Sequence, residues 1–399
     1  MEEKKFWKGY ICGFLSVVAI IALMAVIKRL TLPESLTPGQ EAQVVLKLNQ
    51  MSSLIGAHYL DEVQTEDLLE GAYAGFANAV GDKYTRYYTR EEYEAYLQDA
   101  SGTFAGIGVT IQWNEEAQML EIISVQEEGP AERAGMHVGD LVYSVDDEVM
   151  KGTSMDLVTS KIRGKAGTEV RIGVLRDGSA DPIVLTITRE LIEEKTVNSI
   201  MLDGGIAYIE VSGFNEVTAK QFKETVESLK EQEMRGLILD LRGNPGGRLN
   251  SVVDVADQIL PEGLITYTLT KDGQREEYTS DGETVLDIPM VVLIDENTAS
   301  AAEILSGAIK DHERGVLVGT QTFGKGIVQT TYTLSDGSGI KVTMARYYTP
   351  NGDFIHGVGI EPDRKVELPE EKLLEEVRGT KEDTQYTAAL QEMQKLLQD

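Results

Sequence analysis

The sequence predicts a multidomain protein of the α/β class, and three observations support this. The 399 residues are enough for two or three domains with buried cores. Residues 103–190 consist of short β-like runs separated by glycines and Asp-Gly turns. Residues 191–365 alternate strand-like runs with helical ones, which is the pattern of an α/β core. We therefore expect a β-rich domain followed by an α/β domain.

The first 40 residues predict a membrane anchor and a linker. The run 9–27 has 19 uncharged residues between Lys8 and Lys28. As a helix it would be about 28 Å long, close to the hydrocarbon thickness of a bilayer. A cleaved signal peptide is the alternative, but no Ala-x-Ala sequence follows the run. We expect residues 1–8 to be a short N-terminal cytoplasmic segment, 9–27 a transmembrane signal anchor and 28–40 a linker.

Two further regions are predicted to be helical. Apolar residues recur at helical spacing within 41–102, and Thr89 with Glu92 forms a capping-box pattern at a helix start. The helical C-terminal tail, 366–399, has apolar residues that could contact a partner helix: Leu373, Leu374, Val377, Leu390, Met393 and Leu397. Together, the two regions favour a homodimer.

The charge balance excludes one class of partner. The chain has 66 acidic and 37 basic residues, which give a formal charge of −29. Nucleic acid phosphates and anionic lipid surfaces repel such a chain. We therefore expect no binding to nucleic acid. The single cysteine, Cys12, excludes an internal disulfide.

Lys325 lies in a segment that is close to a phosphate-binding loop. Residues 319–325 have the glycine and lysine spacing of that loop, but Gly326 stands where a serine or threonine must ligate magnesium. Residues 327–333 are rich in β-branched side chains and predict a strand, whereas a phosphate-binding loop opens a helix. The sequence therefore disfavours a nucleotide site.

Ser300 has two interpretations. It follows an apolar strand and begins a helical segment, and Glu303 completes a capping box, so it could be an ordinary helix cap. It could also be a nucleophile, because the amide of Ala301 would point toward an oxyanion beside it and the helix dipole would favour the negative charge. The glycine loop 242–247 could supply a second amide, although an ordinary tight turn has the same composition.

A serine nucleophile needs a general base. Lysine is the alternative to histidine in Ser-Lys enzymes. Keeping a free lysine neutral at pH 7 costs roughly 4.6 kcal/mol, so its amine must be shielded from water. The apolar, compact surroundings of Lys325 suit that requirement. Four histidines have no distinctive sequence context: His58, His137, His312 and His356.

These segments resemble the carboxyl-terminal processing peptidases, also called tail-specific proteases. The resemblance rests on Asn297-x-x-Ser300-Ala-x-Glu303 and on Thr322-Phe-Gly-Lys325-Gly-x-Val-Gln329, with the lysine 25 positions after the serine. It covers about residues 45–365 and implies a crotonase-like spiral of βαβ units for a serine protease core at 191–365.

The resemblance also implies roles. By this resemblance Ser300 would be the nucleophile, Lys325 the general base and Gln329 a residue that assists the lysine. The amides of Ala301 and Gly246 would form the oxyanion hole. The chain departs from the family pattern at Thr298 and Ala302, where serines are common, and at Asp82-Lys83-Tyr84, where Asp-Pro is common.

Residues 103–190 resemble a PDZ domain, a module that adds a peptide as a strand and captures its carboxyl terminus on loop amides. Gly106-Ile107-Gly108-Val109 opens a strand, and a second matching segment follows at 129–140. The resemblance implies that these four residues contact substrates with free apolar C-termini. Ile107, Val109 and Ile111 alternate to one face, where they either line a pocket for an apolar terminal residue or belong to the core of the domain. Arg163 is either a sensor of the bound tail or an ordinary solvated arginine.

We therefore expect a membrane-anchored serine endopeptidase that recognises exposed apolar C-termini and cleaves through an acyl-enzyme. We expect no metal and no organic cofactor. The resemblance implies a single-pass protein of the cell membrane with its catalytic domain outside the cytoplasm. Two alternatives remain open: a PDZ scaffold on a catalytically silent core, and a non-proteolytic hydrolase or hydratase on the same spiral fold.

Overall fold

The computed structural model describes residues 36–176, 181–283, 286–369 and 372–398. It divides into two compact units, with the boundary between Phe76 and Ala77. No helix in these described ranges is both long and apolar enough to cross a membrane. The predicted anchor at 9–27 lies outside the described residues.

The described residues of the first unit, 36–76, are mainly helical, which agrees with the prediction for this part of 41–102. Helix α1 (Pro38–His58) begins with a capping box between Thr37 and Gln40 and a proline in its first turn, both of which favour helix initiation. Helix α2 (Thr65–Asn78) follows, and the unit boundary lies in its last turn. None of the residues of α1 is buried.

The second unit opens with strand β1 (Arg86–Tyr88) and helix α3 (Arg90–Ser101). The predicted capping box is confirmed, because the Glu92 amide donates to Thr89 Oγ1 at 3.2 Å and the Thr89 amide donates to the Glu92 carboxylate at 3.1 Å. Gly102 ends the helix in the left-handed conformation.

A β-rich region follows, as predicted. It begins and ends with an antiparallel ribbon of β2 (Thr103–Gly106) and β9 (Glu190–Glu193). Between them lies an antiparallel sheet in the order β3-β4-β5-β7-β8, with β6 paired to β5. Its elements are β3 (Val109–Asn114), β4 (Met119–Val125), helix α4 (Pro130–Arg133), β5 (Leu141–Val145), β6 (Glu148–Val149), helix α5 (Met155–Ile162), β7 (Glu169–Leu175) and β8 (Ile183–Thr188).

The α/β region contains a largely parallel sheet. Its strands are β10 (Val197–Leu202), β11 (Ile206–Val211), β12 (Gly236–Asp240), β15 (Met290–Ile294), β16 (Val316–Gly319) and β19 (Arg364–Lys365), in that spatial order. Only the first pair is antiparallel. Helices α6 (Thr218–Glu231), α7 (Leu249–Asp257) and α8 (Ala301–Asp311) lie between successive parallel strands. The central strands are buried throughout, as parallel strands with both faces covered must be.

A second, antiparallel sheet lies in the same unit. Strand β18 (Gly339–Tyr348) pairs with β1, with β13 (Gly263–Thr270) and with β17 (Ile327–Thr333), and β13 also pairs with β14 (Arg275–Ser280). Lys325 comes two positions before β17, so this sheet determines where the lysine lies.

The C-terminal region contains helices α9 (Leu374–Val377) and α10 (Thr384–Leu396). We expected apolar residues of this tail to contact a partner helix, and for α10 that expectation is wrong. Leu390, Met393 and Leu397 pack in a cluster with residues of β11, β12 and β15. A parallel sheet needs apolar cover on both faces, and α10 covers one face of this sheet.

Candidate active site

Two loops meet where β12 and β15 end. Neighbouring parallel strands have their carboxyl ends at the same edge of a sheet, so residues 241–247 and 295–300 lie side by side. Asp295 joins them, because its Oδ1 accepts the Gly243 amide at 2.9 Å and the Thr298 amide at 2.9 Å. The side chain of Asp295 is buried, and its bonds define the point at which α8 begins.

Ser300 occupies a strained position at the start of α8. Its φ of +55° and ψ of −115° are rare for a residue with a side chain, at a cost of about 1–3 kcal/mol. Such a sharp strand-to-helix turn is typical of the nucleophile in serine hydrolases. The Ala301 amide follows at the helix N-terminus, and no hydrogen bond from the described residues occupies it. A partly exposed serine thus lies next to an available amide.

Gly246 lies against this turn. A Cβ atom at Gly246 would be 2.6 Å from the Ala299 carbonyl oxygen and 2.8 Å from the Ala301 nitrogen, so only glycine fits. Its φ of +99° also favours glycine. The Gly246 amide donates to Asn244 Oδ1 at 2.8 Å within the loop. The structure therefore brings Gly246 to the serine, and its role as an oxyanion donor stays a prediction.

Glu303 connects the serine turn to the lysine segment. Its fully buried carboxylate accepts the Ser300 amide and the Lys325 amide, both at 2.8 Å. It also accepts the Gly324 amide at 2.7 Å and the Thr322 hydroxyl at 2.6 Å. The sequence pattern indicated only a helix cap here. The structure shows that the same side chain holds the backbones of both candidate catalytic residues.

Tyr347 on β18 forms a second connection between the same two residues. Its hydroxyl is within hydrogen-bond distance of the Ser300 carbonyl oxygen, at 3.0 Å, and of the Lys325 carbonyl oxygen. A hydroxyl has one proton, so it donates to one of them at a time. Burial, followed by the negative charge of Glu303, raises the pKa of Tyr347 well above its ordinary value. The tyrosine therefore stays a neutral donor.

The Lys325 amine is half-buried and lies 4.9 Å from the centroid of the Tyr84 ring. Burial, and then the positive charge of Lys341, lower the pKa of Lys325, while Glu303 and Asp82 oppose the shift. A general base needs a shift in this direction. In the described part of the chain no hydrogen bond joins the amine to the Ser300 hydroxyl.

Gln329 lies on β17, next to a bulge at Val328. Its Nε2 donates to the Ile327 carbonyl oxygen at 3.2 Å. The described residues show no hydrogen bond between Gln329 and Lys325, so the role of Gln329 also stays a prediction.

The predicted peptide-binding residues lie where β2 leads into β3. Gly106 pairs with Glu190 in the ribbon, and Gly108 has a φ of +75°. Ile107 is 2% exposed and packs inside the core of the β-rich region, so its side chain cannot line a surface pocket. Val109 is partly buried against the same core. A peptide could therefore contact the backbone of Ile107 but not its side chain.

Arg163 lies directly after α5, and its guanidinium is 4.8 Å from the centroid of the Phe104 ring on β2. This contact joins the end of α5 to the ribbon. The structure therefore places Arg163 against an aromatic side chain rather than fully in solvent.

The sequence did not predict three features near the lysine. Glu303 bridges the serine and lysine segments, Tyr347 contacts both, and the segment around Tyr84 lies against the amine. Only Glu303 had a signal, since it completes the Ser-x-x-Glu pattern. Tyr347 and Tyr84 are far from the serine in sequence, and only the packing of β18 and the segment before β1 brings them to Lys325.

Family models match two parts of the chain. The model of peptidase family S41 matches residues 205–366, and the model of the PDZ domain matches residues 121–176. A carboxyl-terminal-processing protease from Synechocystis is 39% identical over 313 residues, which are 77% of this chain and 73% of that protein. The chain belongs to this family. The resemblance seen in the sequence is confirmed.

Other members agree. The carboxy-terminal processing protease CtpA of Bacillus subtilis is 35% identical over 325 residues, covering 81% of this chain and 69% of the relative. A solved structure described as an S41 protease from Bacteroides fragilis covers 85% of this chain and 91% of its own, with a TM-score of 0.51. Its identity is 16%, so it supports the fold alone. This member of the family is thus a serine-type C-terminal-processing peptidase with a PDZ domain.

Proposed function

We propose that the chain is a membrane-anchored serine endopeptidase in which Ser300 and Lys325 form the catalytic dyad. The observation that carries the proposal is the Glu303 carboxylate, which accepts the backbone amides of both residues at 2.8 Å. A shared buried acceptor holds the two segments in a fixed relation. The lowered pKa of Lys325 adds support, because burial and Lys341 favour its neutral form.

The reaction proceeds in two stages. The neutral Lys325 amine takes the proton of the Ser300 hydroxyl as Oγ attacks the scissile carbonyl carbon. The tetrahedral oxyanion is stabilised by the Ala301 amide and, once the loop releases it from Asn244, by the Gly246 amide. The lysine then gives its proton to the leaving amine, and an acyl-enzyme ester remains. Water, deprotonated by the same lysine, hydrolyses the ester.

Two local features are relevant to these steps. The Lys325 amine and the Ser300 hydroxyl form no hydrogen bond in the described residues, and catalytic hydrogen bonds often form only in the substrate complex. Gln329 lies on β17, four positions after Lys325, and could orient the lysine amine after a change of rotamer. The sequential order of parallel strands, β11-β12-β15-β16, is compatible with the crotonase-like spiral that we propose for the core.

In this proposal the PDZ domain selects the substrate. An exposed apolar C-terminus would add along β3, with its carboxylate on the amides of residues 106–109 and with Arg163 near the bound tail. The names of the relatives, carboxyl-terminal-processing proteases, support action at the carboxyl terminus of a protein. We further propose a homodimer, supported by the exposed apolar residues of α1, among them Val45, Leu46 and Leu54.

The proposed location is the cell membrane, with one span at 9–27 and the catalytic domain outside the cytoplasm. The length and apolar character of 9–27 support it. Alkaline extraction of membranes should leave the full chain in the pellet and release a chain that lacks residues 1–27. Release of both chains would contradict the anchor.

The dyad is tested with the full chain in detergent and a folded substrate protein that ends in an apolar tail. Ser300→Ala and Lys325→Ala should each abolish cleavage, and to a similar extent, because the residues act as a unit. A serine-reactive fluorophosphonate should label Ser300 in the parent chain but not in Lys325→Ala. Lys230→Ala, an exposed lysine of α6, is the matched control and should be fully active. Activity in either dyad variant would exclude the assignment.

A further inference from the structure

A short segment before β1 covers the Lys325 amine. Residues 82–85 lie outside both regions matched by the family models. The Tyr84 ring centroid is 4.9 Å from Lys325 Nζ, and the ring is partly buried. The ring makes an edge-to-face contact with His356, with the two ring centroids 6.3 Å apart. Tyr84 is thus an aromatic side chain in contact with the amine of the proposed base.

The position of Tyr84 is set by Asp82. The Asp82 carboxylate accepts the Tyr84 amide at 3.0 Å and the Thr85 hydroxyl at 2.8 Å, and it also accepts the hydroxyl of Thr343. The Thr343 amide donates in turn to Thr85 Oγ1 at 3.2 Å. Thr343 is on β18, directly opposite Gln329 of β17. The segment is therefore attached to the sheet that carries Lys325.

We propose that Tyr84 is a positioning residue whose ring excludes bulk water from the Lys325 amine. The inference rests on the proposed role of Lys325 as general base. An ammonium group on a lysine is strongly hydrated, so an aromatic ring in place of its water shell favours the neutral amine. The residue acts through the lysine.

The ring also attracts a cation, and the two effects oppose each other. A cation–π contact is worth about 0.5–1 kcal/mol at an exposed site and about 2 kcal/mol or more when it is desolvated, and 2 kcal/mol corresponds to about 1.5 pKa units. Loss of hydration shifts lysine pKa values by up to about 3–5 units when burial is complete. We expect shielding to outweigh the attraction, because the pKa of Lys325 is lowered and burial is the largest cause.

Other charged or titratable groups face the amine from each packed element. Glu303 of α8 and Asp82 favour the ammonium form, whereas Lys341 of β18 and Lys83 disfavour it. Lys83 Nζ lies 4.9 Å from the Tyr84 centroid, so both lysines contact the same ring. The remaining groups, His356 and the hydroxyl of Tyr347, lie near the backbone of the lysine segment: His356 Nδ1 accepts the Gly326 amide at 3.3 Å.

The test is the pH dependence of kcat/KM for the full chain in detergent. Tyr84→Ala admits water, so the acidic limb of the profile should move to higher pH by about one unit. At pH 7, kcat/KM should then be about tenfold lower. Tyr84→Phe keeps the ring and should keep the parent profile. Tyr278→Ala, on β14, is a control that removes a partly buried tyrosine elsewhere and should leave the limb in place.

A second readout does not depend on activity. In chains that carry Ser300→Ala, the pH at which Lys325 is half-reactive toward reductive methylation is measured by mass spectrometry. Adding Tyr84→Ala should raise that pH by the same amount. Thr85→Val, which removes the hydrogen bonds of Thr85 with Asp82 and Thr343 but changes no charge, loosens the segment and should also raise it, and it serves if Tyr84→Ala does not fold.

The outcomes separate this inference from the proposed dyad. If Lys325→Ala is inactive but Tyr84→Ala and Thr85→Val change neither the profile nor the methylation, the role of Tyr84 is wrong and the dyad stands. If Lys325→Ala cleaves normally, the dyad itself is wrong. An equal shift in Tyr84→Phe would also overturn the proposal, because the hydroxyl and not the ring would then be responsible.

Discussion

Arg242 and Asp383 form two parallel hydrogen bonds, each 2.9 Å long, between guanidinium and carboxylate. Both side chains are fully buried. Arg242 begins the glycine loop beside Ser300, and Asp383 caps α10 by accepting the Tyr386 amide. The C-terminal segment, far from the serine in sequence, therefore supports the loop that carries Gly246.

Removal of the Asp383 carboxylate should destabilise the protein. Asp383→Ala leaves a buried guanidinium with only the carboxylate of Asp240 as an ionic partner, and we expect the free energy of unfolding to fall by about 3 kcal/mol. Urea denaturation measures it. Glu367→Ala removes the exposed partner of Lys365 and should leave the unfolding midpoint where it is. Equal unfolding midpoints for the parent chain, Asp383→Ala and Glu367→Ala would show that the buried ion pair does not stabilise the protein.

Glu303 should be needed for activity even though it does not take part in the chemistry. Glu303→Gln has nearly the same size but replaces one acceptor oxygen by a donor, which faces amide and hydroxyl donors in a buried site. We expect kcat to fall by at least about tenfold and stability to fall by about 1–3 kcal/mol. Glu224→Gln, on the exposed face of α6, makes the same change without effect. A fully active Glu303→Gln chain would show that the bridge is dispensable.

Activity should increase with pH through the pKa of Lys325. The reactive form is the neutral amine, so activity is present above this pKa and is lost as the pH falls through it. Burial and Lys341 place the pKa below its ordinary value of 10.5. Lys341→Met removes one of these causes, so the acidic limb of kcat/KM should move to higher pH, and Lys341→Arg should restore it. A limb that moves to lower pH in Lys341→Met would contradict the sign of the interaction.

Gly246→Ala should remove most of the activity. The added methyl would lie 2.6 Å from the Ala299 carbonyl oxygen, which forces the loop away from the serine turn. Loss of one oxyanion donor costs about 10²–10³ in kcat, so we expect a loss of at least that size. Gly71→Ala in α2, where a Cβ atom meets nothing within 4 Å, is the matched control and should stabilise the helix by up to about 1 kcal/mol. Normal turnover by Gly246→Ala would remove Gly246 from the site.

Local patterns in the sequence predict much of the fold. The capping box at Thr89 was read correctly because its hydrogen bonds join residues three positions apart. The alternation of strands and helices after residue 191 likewise predicted an α/β core, since apolar periodicity is a local property. The tail 366–399 was harder: its apolar residues indicated a buried face but not the surface that covers it, and that surface is the chain's own sheet.

The candidate site divides in the same way. The sequence by itself determined the residue types and spacing that identify the family, including Ser300 at a helix start and the segment around Lys325. Only the tertiary structure decided that Glu303 and Tyr347 bridge the two segments, that Asp383 supports the glycine loop, and that Tyr84 covers the amine. The reason is physical: a helix cap depends on neighbours along the chain, whereas the shielding of an amine depends on side chains that meet only when separate strands pack together.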